Sequence, residues 1–390
     1  MRAATLRRAT AADRDEILKL NAVGNGAEIA EEMRIVFDHG GMEVTDYAVA
    51  VVDGRVVATV GLLATKLRVG PVTLPVGQPE YIATDPEHQG HGLAGRLLAM
   101  VQEWSDERGD LLQIITGVAY FYRQYGYSYG LARSPVLVVA PETAIDMPPG
   151  WQVRAAEAGD VDRIRALQAA AQDRCDVALS FADNLWAPFL VMAAAPMLVA
   201  EQEGRVGAVA RLRLEPGSPV HVQALAADDI VGVVGVQAVL AGARARHPGA
   251  TLVVTERPGS VVRAVVGAAA PVDRHNSLYV RVPSLARLLL EMTAVLDQRL
   301  AASAFSAASG ELAISLYRST VHVRYERGRI VGVSEGVAIH EPDDDDAAAG
   351  VPPDLVPNLV FGAGGAVALQ DHPDVYLGRF RPLMGALFPP

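Results

Sequence analysis

Cysteine is nearly missing from this sequence: Cys175 is the only one in 390 residues. That excludes an intrachain disulfide and any cysteine-based zinc site, and it fits a reducing, cytoplasmic compartment. Long apolar runs are missing too. The longest uncharged apolar stretch, Ile230 to Ala243, falls short of the roughly 20 residues that span a bilayer. It reads as a buried helix, and no membrane partner is expected. The opening residues MRAATLRRATAADRDE carry charge throughout and lack the apolar segment of a secretory signal, so no export is expected. Positive charge is in short supply, with 34 Lys and Arg against 45 Asp and Glu, a net charge of −11 and a pI near 5.3. A nucleic-acid partner is therefore not expected, because such a protein must neutralise phosphates. A cationic or amine-bearing acceptor suits the sign better. Metal-ligand spacing is absent as well. The run Asp343 to Asp346 lacks the alternating ligands, central Gly and distal Glu of a calcium loop, and no metal is expected.

What is present is an ordinary globular composition, 51% hydrophobic and 20% charged, in a chain longer than one core usually organises. An internal repeat shows how it is divided. LRRATAADRDEILKL, Leu6 to Leu20, matches VRAAEAGDVDRIRAL, Val153 to Leu167: a short strand, a small-residue turn, an Asp near the helix start, then apolar residues at helical spacing. YAVAVVDGRVVATVGLLA, Tyr47 to Ala64, matches MLVAEQEGRVGAVARLRL, Met197 to Leu214, each a strand pair around an Asp-Gly or Glu-Gly turn. Two matches in the same order indicate duplication of one αβ unit. After about Val282 the pattern changes to a helix, SLARLLLEMTAVLDQRLA, then to strand alternation in ELAISLY, TVHVRY and RIVGVSEGVAI. EPDDDDAAAG, Glu341 to Gly350, reads as a linker, and Gly362 to Gly365 as a turn.

The chemistry concentrates in EYIATDPEHQGHGLAGRLL, Glu80 to Leu98. Tyr81 to Thr84 reads as a short strand that Asp85-Pro86 ends. Gln89 to Ala94 forms a turn of small residues, and Leu93, Leu97, Val101 and Trp104 give a helix face. A helix start preceded by glycines aims several backbone N–H groups at one spot, a nest for pyrophosphate. A second element, ITGVAYFYRQYGYSYG from Ile115 to Gly130, holds five of the 11 tyrosines. A phenol there can donate a hydrogen bond to a thiolate as charge develops on sulfur and then give up its proton.

Gln89, Gly90, His91, Gly92, Leu93 and Ala94 form Q-x-x-G-x-A, which resembles the acetyl-CoA pyrophosphate loop of the GNAT superfamily. FYRQYGY, Phe121 to Tyr127, resembles that superfamily's Y-x-x-x-G-F/Y element. Where many members carry an Asn-bearing helix before the tyrosine, Ile115 and Val118 stand here, so the element is shortened. Together with the duplication and the third segment, the chain resembles the enhanced-intracellular-survival (Eis-like) family. The resemblance implies an α/β (α+β) fold of tandem GNAT-type mixed sheets flanked by helices, with a small sterol-carrier-like α+β domain. The corresponding boundaries are 1–147 for a catalytic GNAT domain, 148–282 for a degenerate GNAT-like domain and 283–390 for the sterol-carrier-like domain. It implies acetyl-CoA as co-substrate, transfer to a small-molecule or lysine-type amine, and a homohexamer. By the same resemblance Tyr122 is the general acid, and Gly117 and Val118 lie beside the cofactor. Backbone groups of Ile82, Ala83 and Thr84 pair with the pantetheine arm, and the C-terminal carboxylate, here that of Pro390, helps deprotonate the amine. The family pattern ends in an aromatic residue, whereas this chain stops at Pro389-Pro390.

The residues alone leave some assignments open. Glu80 acting through water, His39 and His91 are candidates for the base, and Glu28, Glu31 and Glu32 either recognise a cation or form an exposed acidic helix face. In the second copy, VQALAADDIVGVVGVQAVLA contains no Q-x-x-G-x-A, and Asp228 and Asp229 stand near the expected loop. Carboxylates there repel pyrophosphate, so one cofactor per chain is expected. Two other functions compete with amine acetylation. One is a carrier or scaffold that binds acyl-CoA or lipid without turnover, and the other is an acyltransferase using a longer acyl-CoA.

Overall fold

Duplicated sequence becomes duplicated structure, down to individual hydrogen bonds. In the computed structural model Arg7, on the strand Thr5–Arg8, donates two bonds to Asp13 at 2.7 and 2.8 Å. Arg154, on the strand Trp151–Ala155, does the same to Asp160 at 2.6 and 2.9 Å. Each aspartate also accepts from the backbone three residues earlier, Thr10 N–H at 2.7 Å and Glu157 N–H at 2.8 Å. The arginine thus ties the strand to the 3-10 turn before the helix, Ala11–Asp13 in one copy and Ala158–Asp160 in the other, where the aspartate closes a capping box. The helices that follow, Arg14–Gly24 and Val161–Gln172, bury Ile17 with Leu20 and Ile164 with Leu167, the positions matched in the repeat. The two hairpin turns also agree. Asp53 and Gly54 have φ of 49° and 79°, Glu203 and Gly204 of 52° and 77°, the left-handed pair that a tight two-residue hairpin requires.

The structure describes residues 4–389 apart from 216, 268, 270, 273–277 and 341–346, so the Asp343–Asp346 run and Pro390 lie outside the described residues. The chain forms two compact units. The first comprises Met1–Thr59, Ala83–Gln89 and Ser134–His275. It holds the paired strands Thr5–Arg8 and Tyr47–Val52 and a seven-stranded sheet. The sheet runs in the order Pro271–Val272, Val136–Val139, Leu252–Thr255, Val220–Ala227, Arg205–Arg213, Met197–Gln202 and Trp151–Ala155. The expected apolar helix forms as Gly232–Arg246 and buries Val236, Val239 and Leu240 in a core with Leu198, Leu212 and Val222 from the strands.

The second unit comprises Val60–Ile82, Gly90–Arg133 and Asn276–Pro390. The strand Val72–Thr84, longer than the sequence suggested, pairs in parallel with Leu112–Ile115, and the helix Leu93–Arg108 connects them. That ladder is short, only Val76 to Leu112 and Gly77 to Gln113. A Cβ on Gly77 would lie 2.2 Å from Ser105 Oγ, so the crossover helix packs where only glycine fits. Further along, the expected third segment forms a four-stranded sheet in the order Arg329–Gly336, Thr320–Glu326, Gly310–Ser315 and Ala349–Gly350. The helix expected over Ser284 to Ala301 forms as two, Leu285–Glu291 and Thr293–Ala301, with Met292 between them. Gly362 to Gly365 is a turn between the helices Val356–Phe361 and Gly365–Leu369.

Two strands pair outside the expected segment boundaries. Val136–Val139, expected with the first segment, pairs antiparallel with Leu252–Thr255 in the seven-stranded sheet. Leu278–Arg281, expected with the second, lies between Leu112–Ile115 and Ser128–Leu131, antiparallel to both. Tyr279 and Val280 on it are 1% and 0% exposed, so burial of apolar side chains on both faces fixes this insertion. Among the described residues no helix is long and apolar enough to cross a membrane.

Candidate active site

The loop before the helix Leu93–Arg108 has the backbone that an anion nest needs. Asp85 closes the preceding strand, its side chain accepting from Glu87 N–H at 2.9 Å. Gly90 and Gly92 follow with φ of +77° and +69°, and nothing lies within 4 Å of where either Cβ would stand. Left-handed backbone favours glycine, and the open space leaves an approach to the first-turn N–H groups, which have no intrahelical partner. No acidic residue sits in that first turn, and Gly92 is the cap. Gln89, Gly90, His91 and Gly92 are exposed, Ala94 is half-buried, and Leu93 anchors the helix start at 5% exposure. A pyrophosphate fits this cradle in shape and in sign.

Ala83, Thr84 and Gln89 are described with the first unit. Ala83 is buried against Gly24, whose Cβ position lies 3.1 Å from the Ala83 Cβ, and Gln89 Nε2 donates to the Thr84 carbonyl at 3.4 Å. In the second unit the same strand carries Glu80, Tyr81 and Ile82. Tyr81 has a φ of 54° in mid-strand, a sparsely populated conformation for a non-glycine residue that often marks a functional segment.

The tyrosine cluster is built around a short 3-10 helix, Phe121–Tyr125. Tyr122 is 7% exposed, and its hydroxyl is not one of the fully buried polar atoms left without a partner. A Cβ on Gly117, where φ is +140°, would lie 3.0 Å from the Tyr122 ring and 3.3 Å from its hydroxyl. Gly117 therefore brings bare backbone alongside the phenol. Burial, followed by the negative charge of Glu80, pushes the Tyr122 pKa up to about 12. A buried phenol that stays protonated beside bare backbone is suited to protonating a leaving group.

Neighbouring side chains fix its position. Tyr125 packs on Gly95, whose Cβ would come 2.7 Å from the ring, and the Tyr125 carbonyl accepts from Gln102 at 3.0 Å. Tyr127 is fully buried and donates to Gln113 Oε1 at 2.6 Å. Burial holds its pKa well above the usual phenol value. Tyr127 is thus a structural partner of Tyr122, their rings 6.2 Å apart and edge-on. Val118, Tyr120 and Phe121 are exposed apolar side chains beside the cluster, 67%, 74% and 39% respectively.

The motifs gave no sign of Tyr279. It enters on the inserted strand Leu278–Arg281, its ring stacked on Tyr129 at 4.1 Å and edge-on to Tyr122 at 5.6 Å. Its hydroxyl shares a 2.8 Å bond with Tyr129 and donates to the Val118 carbonyl at 3.4 Å. Only the regularity of LYVR as a strand could have pointed to it.

The remaining candidates separate. Glu80 is half-buried, accepts from Gln78 Nε2 at 2.5 Å and acts electrostatically on Tyr122. His39 and His91 are exposed. Glu31 is engaged by Arg34 at 2.5 and 2.8 Å, which holds its carboxyl below the usual range. The tail is pinned as far as the described residues reach. Phe388 is 1% exposed, its carbonyl accepts from Ala366 N–H at 2.9 Å, and the Leu387 carbonyl accepts from Arg299 at 2.7 Å. Among the described residues no group of His, Cys, Asp and Glu is arranged to hold a metal.

Solved structures share this fold along nearly the whole chain. A GCN5-related N-acetyltransferase from Kribbella flavida is 16% identical with a TM-score of 0.69, covering 99% of this chain and 95% of its own. One from Anabaena variabilis is 11% identical with a TM-score of 0.71, covering 99% and 97%. Eis1 from Mycobacterium abscessus is 15% identical with a TM-score of 0.63, again covering 99% and 97%. None of the curated proteins compared matches the chain. Residues 5–130 match the family model of the acetyltransferase (GNAT) domain, so the chain carries an acetyltransferase domain of that type in its first third.

Proposed function

We propose that this protein transfers an acetyl group from acetyl-CoA to a primary amine, a small molecule or a lysine side chain, by direct attack of the amine, with Tyr122 as the general acid. The observation that carries this reading is Tyr122, a buried ring set against the bare backbone of Gly117, with its hydroxyl held protonated. Gln89, Gly90, His91, Gly92, Leu93 and Ala94 hold the pyrophosphate, and the backbone of Ile82, Ala83 and Thr84 aligns the pantetheine arm as an added strand. Gly117 and Val118 line the other side. Bound acetyl-CoA supplies the acetyl group and departs as a thiolate. Tyr122 supplies the proton that the sulfur needs. Glu80, which acts electrostatically on Tyr122, takes a proton from the amine through water. The Pro390 carboxylate, beyond the pinned Phe388, is a second base in the same reading.

The larger organisation proposed with it has a catalytic segment, 1–147, a second copy over 148–282 that has lost its loop, and a sterol-carrier-like segment over 283–390, in a cytoplasmic homohexamer. The Eis-like resemblance supports these assignments. The test follows free thiol during incubation with acetyl-CoA and a panel of amines. The unmodified protein is expected to release thiol only when an amine is present, and Tyr122→Phe to lower kcat on the order of 100-fold with little change in acetyl-CoA affinity. Full turnover in the variant would remove Tyr122 from the reaction. Binding of acetyl-CoA with no thiol release for any amine would favour a carrier.

A further inference from the structure

The second copy of the repeat contains a pocket of about 110 Å3 at the point where the first copy has its Gly90 to Gly92 loop, between the end of the strand Val220–Ala227 and the start of the helix Gly232–Arg246. Arg174, Leu225, Asp228, Gly232, Arg257 and Ser260 are among its lining residues. The expectation that Asp228 and Asp229 make this place repel anions needs correction, because both carboxylates are neutralised within the protein. Asp228 accepts from Arg163, from Arg205 at 2.7 Å and from Ile230 N–H at 2.9 Å. Asp229 pairs with Arg174. The Ile230 bond, followed by Arg163, holds Asp228 below the usual carboxylate range.

Arg257 is different. Its Nη1 donates to Gln168 Oε1 at 3.1 Å, and among the described residues it pairs with no carboxylate. Gln168 is itself 6% exposed and is held by its own bond to the Ala224 carbonyl. Burial pushes the Arg257 pKa down; the Cys175 thiol acts against it, and no carboxylate does. Three of the four arginines at or against this pocket bond its two carboxylates, and Arg257 is the one that bonds neither. A desolvated guanidinium without a counter-charge is costly in an empty protein, and a guanidinium fork suits an oxyanion. The helix that starts at Gly232 adds a positive end on the same wall. A space of about 110 Å3 has room for a phosphate or carboxylate group.

We propose that this pocket binds a small oxyanion, the phosphate or carboxylate group of a soluble metabolite, with Arg257 as its anchoring residue. The site belongs to the second copy and does not depend on the acetyl-transfer reading. The experiment compares thermal unfolding of the full-length protein in inorganic phosphate, in acetate and in chloride at equal ionic strength. Phosphate or acetate is expected to raise Tm above chloride, and whichever raises it more identifies the group. In Arg257→Met that rise is expected to vanish, while Tm in chloride stays level or increases because an uncompensated charge has gone. Arg257→Lys is expected to keep part of the rise. On the unmodified chain, the preferred anion is expected to protect Arg257 from phenylglyoxal, read by mass spectrometry. No rise over chloride with either anion, an equal rise in Arg257→Met, or unprotected Arg257 would each overturn the proposal. A lower Tm for Arg257→Met in chloride, with no anion effect in the parent, would leave Arg257 a purely structural residue.

Discussion

At the scale of single residues, burial keeps Tyr122 protonated. An ordinary phenol is half-ionised near pH ~10, whereas for Tyr122 that midpoint is raised to about 12. Because the folded-state value is raised, the acid form persists on the alkaline side. The kcat of the acetyl transfer is therefore expected to show no decline attributable to Tyr122 up to about pH 10, and a fall setting in near pH 9 would mean that another group carries the proton. Tyr279 tests the neighbouring wall. Its hydroxyl bonds Tyr129 at 2.8 Å and reaches the Val118 carbonyl at 3.4 Å. Tyr279→Phe keeps the stacked ring and removes both bonds, so kcat is expected to fall several-fold, on the order expected for one or two neutral hydrogen bonds. Steady-state kinetics that match the parent would show that the hydroxyl does not help to position Tyr122.

At the scale of elements, the helix Leu93–Arg108 and the 3-10 helix Phe121–Tyr125 depend on each other through Gly95. Replacing a glycine inside a helix by alanine ordinarily stabilises by about 1 kcal/mol. Here the new Cβ would come 2.7 Å from the Tyr125 ring and 2.8 Å from its hydroxyl, so the steric clash opposes the helix preference. Gly95→Ala is expected to lower Tm and to reduce kcat about 10-fold by displacing the turn that carries Tyr122. A raised Tm with full activity would show that the ring moves aside freely. The loop and Tyr122 were legible in the sequence because their chemistry is local. The left-handed glycines, the proline stop and the apolar helix face all fall within Glu80 to Trp104, and the tyrosines crowd one short stretch. Tyr279 and the arginines around Asp228 were not legible. Each reaches its partner across more than 20 residues, through strand pairing or side-chain reach that no local pattern records.

For the whole molecule, the repeat predicts paired behaviour. Asp13 and Asp160 hold the same strand to the same helix start, and both are held below the usual carboxylate range, first by the arginine bond. A lowered folded-state value means that their contribution is fully present above an ordinary carboxylate pKa near ~4 and is lost progressively as pH falls from there through the lowered folded-state value. Asp13→Asn and Asp160→Asn are each expected to cost about 1–2 kcal/mol at neutral pH and progressively less below pH 4. Calorimetric scans between pH 7 and pH 3 would show the parent and variants converging, and parallel curves would contradict the linkage.

The inserted strand Leu278–Arg281 also governs the order in which the chain can assemble. On the ribosome the residues around Tyr122 emerge well before their partner strand, so the sheet edges at Leu112–Ile115 and Ser128–Leu131 stay open until residue 281 has cleared the exit tunnel. At about 5–20 residues per second, the delay spans roughly 8–30 s, a period in which unpaired edges invite aggregation. A chain stopped at residue 147 is therefore expected to collect in the insoluble fraction. Supplying residues 148–390 in the same cell should recover it as a soluble pair of fragments, and a soluble 1–147 fragment with a cooperative melt would show that the first sheet closes without its late strand.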